Sequence, residues 1–364
     1  MIVREGELPM KTALLILLAV AICFTVYAAT DSRSGVWTAE LNTDGTTLQM
    51  TIFRGRQESR TGMHHGGWNN TMGFELSLAS LTGLSIADIK STAANVQFTM
   101  TRPAGTFTFE GRFANGNGAG NFKFAPSEPF VREMASLGYA DFKGDDLLVF
   151  ATTDFAPQTV RDLRNLGYQP TQKEIEEVAI FRINAPAIKE FNRLGFTNLT
   201  LRELVNLRVG NVDAAYVQGM RELGYTDISA HKLANLAILG VTPTYVRELR
   251  TAGLTNLSPQ ETENLRVGNI TREKIDAYKR LGFTLTAHEL SDFGIHGVTP
   301  KIIEELRAMG YTNLRPHQLI EMRIFGVTPE FIRKMEASGY KAVPVDKLIK
   351  IKMSGADELV TARR

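Results

Sequence analysis

Four sets of residues in this 364-residue chain have the types and spacing that could do chemistry. His64-His65-Gly66-Gly67-Trp68 offers two imidazoles to a metal and an indole to a sugar ring. A metal site needs three or four convergent ligands, and adjacent strand residues point to opposite faces. No carboxylate or third histidine stands nearby, so the stretch reads as a polar loop, with His64, His65 and Trp68 kept as candidate ligand contacts. His288-Glu289 opens like the H-E-x-x-H helix of a zinc peptidase, but position 292 is Asp and the second imidazole is missing. Gly116-Asn117-Gly118-Ala119-Gly120 has the glycine density of a dinucleotide loop. It lies between two strand-like runs with no helix after it, so Asn115-Gly116 or Asn117-Gly118 reads as a hairpin turn. Arg182, Arg208, Arg266 and Arg323 form the fourth set, expected at equivalent places of a repeated helix. There they would form a ladder for ligand carboxylates or pair with glutamates of adjacent helices, although Ala237 and Gly294 interrupt the series.

Composition narrows the chemistry further. The chain is 43% hydrophobic and 22% charged, which supplies ample core material. Its 41 Lys plus Arg against 39 Asp plus Glu leave a net charge of +2, which argues against a nucleic-acid partner. The single cysteine, Cys23, rules out a disulfide framework and any multi-cysteine metal site, and no phosphate loop of the G-x-x-x-x-G-K-[ST] form occurs. No cofactor is expected.

The amino terminus carries a targeting pattern. Met10-Lys11, the apolar run Thr12 to Ala29 and the small-residue step Val26-Tyr27-Ala28 predict a signal peptide over residues 1–28, cleaved after Ala28. The mature protein would then be secreted or periplasmic. Left uncleaved, the same run would anchor the chain as a single span, the one membrane contact expected.

Residues 29–125 form a β-rich domain. Trp37, Ala39 and Leu41; Leu48, Met50 and Ile52; Phe74, Leu76 and Leu78; and Val96, Phe98 and Met100 fall on alternate positions, as do Phe107 with Phe109 and Phe122 with Phe124. This period predicts about six short antiparallel strands in a small sandwich or barrel, with a short helix over Ser85–Ser91 capped by Ser85.

Residues 126–355 repeat, leaving a tail over 356–364. Glycines 138, 167, 195, 224, 253, 282, 310 and 339 recur every 28 or 29 residues, and all but Gly253 precede an aromatic residue. Apolar residues stand seven and four positions before each glycine, the stripe of one helix face. Eleven positions before it come Ser127, Asn184, Asp213, Thr242, Thr271, Thr299 and Thr328, all good N-caps, with Ala156 the exception. A second helix begins at Thr200, Ser229 or Ser258 and ends at Gly240, Gly297, Gly326, Asn211 or Asn269. The glycosylation-like Asn198-Leu-Thr200, Asn256-Leu-Ser258 and Asn269-Ile-Thr271 therefore have structural duties. Helices this short need neighbours, so the pattern predicts an αα-solenoid of about eight helix–turn–helix units. The divergent residues 126–155 are expected to seal it against the β domain. The fold class is thus two-part α+β.

Gly240-Val-Thr-Pro-Thr-Tyr-Val-Arg-Glu-Leu-Arg250, Gly253-Leu-Thr-Asn-Leu-Ser258 and Gly326-Val-Thr-Pro-Glu-Phe-Ile-Arg333 resemble the tandem repeats attached to BlaR/MecR-type antirepressor membrane metallopeptidases of some bacteria. The resemblance implies a sensory or binding accessory region at the cell envelope. It carries over no peptidase half, zinc or catalytic residue. The expectation is a non-enzymatic binding or scaffold protein whose repeat surface takes a protein, a peptide or an envelope polymer. The alternatives are a carbohydrate module using Trp37, Trp68 and the histidine loop, and a structural protein that self-associates end to end.

Overall fold

The computed structural model describes residues 33–54 and 71–356. The leader, the His64–Trp68 stretch and residues 357–364 lie outside the described residues. By density of contacts the chain divides between Glu190 and Phe191 into two units.

The first unit opens with strands β1 (Arg33–Leu41), β2 (Thr47–Arg54), β3 (Thr71–Ser77), β4 (Leu81–Thr82), β5 (Ala94–Arg102), β6 (Gly105–Ala114) and β7 (Asn117–Pro126). They form one antiparallel sheet in the order β3-β2-β1-β7-β6-β5-β4, curled into a half-barrel. The two-residue β4 brings the expected six strands to seven. Alternation places Trp37, Met50, Ile52, Phe98, Phe107, Phe109, Phe122 and Phe124 on the buried face. Register sets Phe107 opposite both Met100 and Phe124. Trp37 is fully buried, and its indole donates to the carbonyls of Glu110 and Asn121 at 3.2 and 3.1 Å. Asn115 (φ 52°) and Gly116 (φ 86°) make the β6–β7 turn, as two positive φ values in succession require. Helix α1 (Ile86–Lys90) starts at a capping box between Ser85 and Asp88 and buries Ile89.

Sixteen nine-residue helices follow, two per repeat. Those ending at the recurrent glycines are α2 (Glu128–Ser136), α4 (Pro157–Asn165), α6 (Ala185–Arg193), α8 (Ala214–Glu222), α10 (Pro243–Thr251), α12 (Arg272–Arg280), α14 (Pro300–Ala308) and α16 (Pro329–Ala337). The partner helices are α3 (Gly144–Thr152), α5 (Gln172–Ile180), α7 (Leu201–Val209), α9 (Ala230–Ile238), α11 (Pro259–Val267), α13 (Ala287–Ile295), α15 (Pro316–Ile324) and α17 (Val345–Met353). Within the first unit α3 lies on β1, β6 and β7 and buries Leu147, Leu148 and Phe150. Asp145 of α3 takes Arg33 at 3.0 Å and Arg54 at 2.5 Å, which fastens the first repeat to the sheet as the divergence of residues 126–155 predicts. Within the second unit even-numbered helices stack on even-numbered ones and odd on odd, from α7 to α17.

The repeat grammar is the one the spacing predicts. Each of the eight glycines is left-handed, with φ between 81° and 94°, and closes its helix without a Cβ clash. All seven expected caps accept a hydrogen bond from the backbone N–H three residues on, whereas Ala156 makes none. Asn198, Asn256 and Asn269 are left-handed as well (φ 59°, 57° and 51°), which accounts for the glycosylation-like triplets.

Candidate functional site

The four arginines do not make the ladder expected of them. Arg182 is not equivalent to the others: it stands two residues beyond the end of α5, in the left-handed position (φ 51°) that Asn211, Gly240, Asn269, Gly297 and Gly326 fill later. The residue of α5 that matches Arg208 is Ala179. Among the described residues Arg266 and Arg323 form no ion pair with a glutamate. Each donates through Nε to the carbonyl of the residue that caps the end of the preceding odd-numbered helix, Arg266 to Leu239 at 3.0 Å and Arg323 to His296 at 3.2 Å. These are helix C-terminal caps, where carbonyls lack intrahelical partners and a cation opposes the dipole. Arg208 covers the Phe191 ring at 5.7 Å.

The interruptions at Ala237 and Gly294 have the same origin. At α7 to α9 and at α11 to α13 the helices approach through small residues. A Cβ added to Gly210 would stand 2.9 Å from that of Ala237, and one on Gly294 would stand 2.2 Å from the Gly268 carbonyl oxygen. No arginine fits there. From α7 to α15 the odd-numbered contacts therefore alternate between close backbone approach and an arginine bridge, a two-repeat period that the 28-residue spacing conceals and that ends at α17, where Lys352 takes the equivalent place.

The even-numbered helices carry a second set of cations, outside the arginine series of the odd-numbered ones. Arg164, Arg221, Arg250, Lys279 and Arg307 each stand three residues before a recurrent glycine. Each donates to the carbonyl just before the preceding repeat's glycine: Leu137 (2.6 Å), Leu194 (2.5 Å), Leu223, Ala252 (2.6 Å) and Leu281 (2.5 Å). Three also cover the aromatic ring after that glycine, Arg164 over Tyr139, Arg221 over Phe196 and Arg307 over Phe283. The fixed offset was the available signal. Tyrosines add to the frame: Tyr216, Tyr245 and Tyr278 donate to the carbonyls of Val241, Ile270 and Val298 at 2.8, 2.8 and 2.6 Å. Burial raises the Tyr245 and Tyr278 phenols to about 12, so they stay protonated donors.

Another set of side chains has no such employment. Val209, Ile238, Val267, Ile295, Ile324 and Met353 are the last residues of α7, α9, α11, α13, α15 and α17. They are 45, 48, 59, 57, 53 and 63% exposed. One large apolar group at the same helix end in six successive repeats is a row, whereas singly scattered exposed apolar residues need no explanation. Leu239 and Phe325, next in sequence to two of them, are also exposed.

A cleft of about 370 Å³ lies in the first unit, between the sheet and the ends of α3 and α5. Its lining includes Glu75, Arg102, Asp154, Thr159, Arg182 and Asn184. Arg102 and Asp154 pair at 3.2 Å. Of the remaining candidates, Trp37 is sealed in the core and presents no face on which a sugar could stack. His64, His65 and Trp68 lie outside the described residues. Glu289, the partner of His288 in the peptidase-like pair, belongs to a capping box with Thr286. Among the described residues no three His, Cys, Asp or Glu side chains are placed to hold a metal ion, and no helix is long and apolar enough to cross a membrane. No family model, curated protein or solved structure matches the chain.

Proposed function

We propose that this chain is an exported, non-catalytic binding protein that engages a protein or peptide through the exposed ends of its odd-numbered helices. The observation that carries this reading is the row Val209, Ile238, Val267, Ile295, Ile324 and Met353. Each leaves about half of its surface or more uncovered by the array, and water solvates that apolar surface poorly. The polar groups that recur with the repeat are, by contrast, caps or carbonyl donors, so the binding chemistry falls to the apolar row. Consecutive helices in such a stack stand about 8–10 Å apart, so the row suits an extended segment with apolar side chains at regular intervals. The leader pattern of residues 1–28 supports export, and the resemblance of the repeats supports a sensory or scaffolding role at the envelope.

The test is peptide-display selection against the purified chain. Enriched peptides should carry regularly spaced apolar residues and lose binding to the triple variant Val267→Glu, Ile295→Glu, Ile324→Glu. Since these side chains are more than half exposed, that variant should keep its circular dichroism and melting temperature. Selection of no peptide, or undiminished binding to a folded triple variant, would remove the proposal.

A further inference from the structure

We propose that the cleft in the first unit binds a small dipolar molecule, with its carboxylate on Arg182 and its ammonium group on Glu75. Both residues line the cleft, and among the described residues neither forms an ion pair. Glu75 accepts only the side-chain amide of Asn42, at 3.0 Å. Arg102 and Asp154 satisfy each other. The cleft thus retains one cation and one anion that do not meet across it, an arrangement that a molecule with opposite charges at its two ends completes. Its volume of about 370 Å³ lies within the ordinary range of ligand pockets.

The repeat provides an independent reason to regard the Arg182 charge as placed. After the odd-numbered helices the left-handed residue is Asn211, Gly240, Asn269, Gly297, Gly326 or Gly355, types that tolerate positive φ. After α3 and α5 it is Asp154 (φ 58°) and Arg182 (φ 51°). Only these two positions bear a formal charge, and both charges line one cleft. Arginine has no local hydrogen bond to ease the left-handed conformation, so its side chain is the feature that distinguishes it from the asparagine or glycine used elsewhere. Thr159 and Asn184 add polar groups to the same wall. This inference is independent of the apolar row, which belongs to the other unit.

The experiment is isothermal titration of the full chain with glycyl-leucine, N-acetylglycyl-leucine and glycyl-leucinamide. The free dipeptide should bind, and blocking either end should weaken it roughly tenfold or more, the loss of one charge-assisted hydrogen bond. Arg182→Asn installs the residue of the later repeats and should hold or raise the melting temperature. It should also abolish discrimination between the free dipeptide and its amide. Glu75→Gln should abolish discrimination between the free and acetylated forms. No saturable binding of any of the three probes would overturn the proposal, as would wild-type discrimination in both folded variants. The triple glutamate variant of the second unit should titrate like wild type, which separates failure here from failure of the proposed function.

Discussion

Arg266 donates through Nε to the carbonyl of Leu239, 3.0 Å away and 27 residues earlier, and so completes the end of a helix to which it does not belong. Its guanidinium also covers the Tyr245 ring at 5.2 Å. Arg266→Ala should therefore lower unfolding free energy by about 1 kcal/mol, the usual size of a partly exposed charge-assisted bond. Peptide binding at the apolar row should be kept. Urea unfolding beside a peptide titration would separate this role from a ligand-gripping one.

The cations of the even-numbered helices make a parallel expectation. Arg221 combines the bond to Leu194 with the face of Phe196. Arg221→Ala should cost about 1–2 kcal/mol, and Arg221→Lys should recover part of it, since Lys279 does this work in its own repeat.

Two glycines should respond to alanine for different reasons. Gly310 is left-handed with open space around it, so Gly310→Ala meets only the backbone penalty of about 1–2 kcal/mol. Gly294 is collision-limited, its Cβ falling 2.2 Å from a backbone oxygen of the neighbouring helix. Gly294→Ala should cost about 2 kcal/mol despite alanine's better helix propensity, because two helices must separate. Thermal unfolding of both variants would test the distinction.

The peptidase-like pair should divide into one structural and one dispensable residue. Glu289 accepts from the Thr286 N–H and hydroxyl, both at 2.9 Å. Glu289→Ala should cost about 1 kcal/mol as a lost cap, whereas His288→Ala should stay within about 0.5 kcal/mol. Equal effects in urea titrations would contradict this assignment.

Stability should fall at both ends of the pH scale. Bonds from the Thr200 N–H and hydroxyl hold the Glu203 carboxylate below its ordinary 4.5, and bonds from the Ser258 hydroxyl and N–H do the same for Glu261. These depressed values favour the fold above pH 4.5, and the benefit disappears as pH falls through the folded values. Buried Tyr245 and Tyr278, raised from 10.0 to about 12, favour the fold below pH 10. That contribution is lost as pH rises towards 12. Helical ellipticity in a fixed, moderate urea concentration should show a plateau between these limits.

Much of this architecture was readable because each feature has a local cause. A left-handed glycine, a threonine cap and a proline at the first helical position act within a few residues, so their offsets survive in the sequence. Long-range features left weaker traces. The pairing of β1 with β7 sets Trp37 opposite Gly120, and no local pattern encodes that join. A left-handed arginine at position 182 hides the end of its helix, where Asn211 or Gly240 declares it. Ala237 and Gly294 mark where helices touch, a role that their place in the arginine series does not reveal. The site was less legible than the fold: the row at the helix ends emerges only once exposure is known, since Val267 or Ile295 reads in sequence as one more core residue.

The alternation of bridge and close approach also governs how the array can change length. Excising a single 29-residue unit would present a helix end shaped for an alanine or glycine to a neighbour bearing arginine, or leave two small-residue surfaces facing a void. Excising two restores matching partners. Growth and shrinkage of this protein by duplication should accordingly proceed in steps of two units, with odd-numbered intermediates held back by mismatched seams.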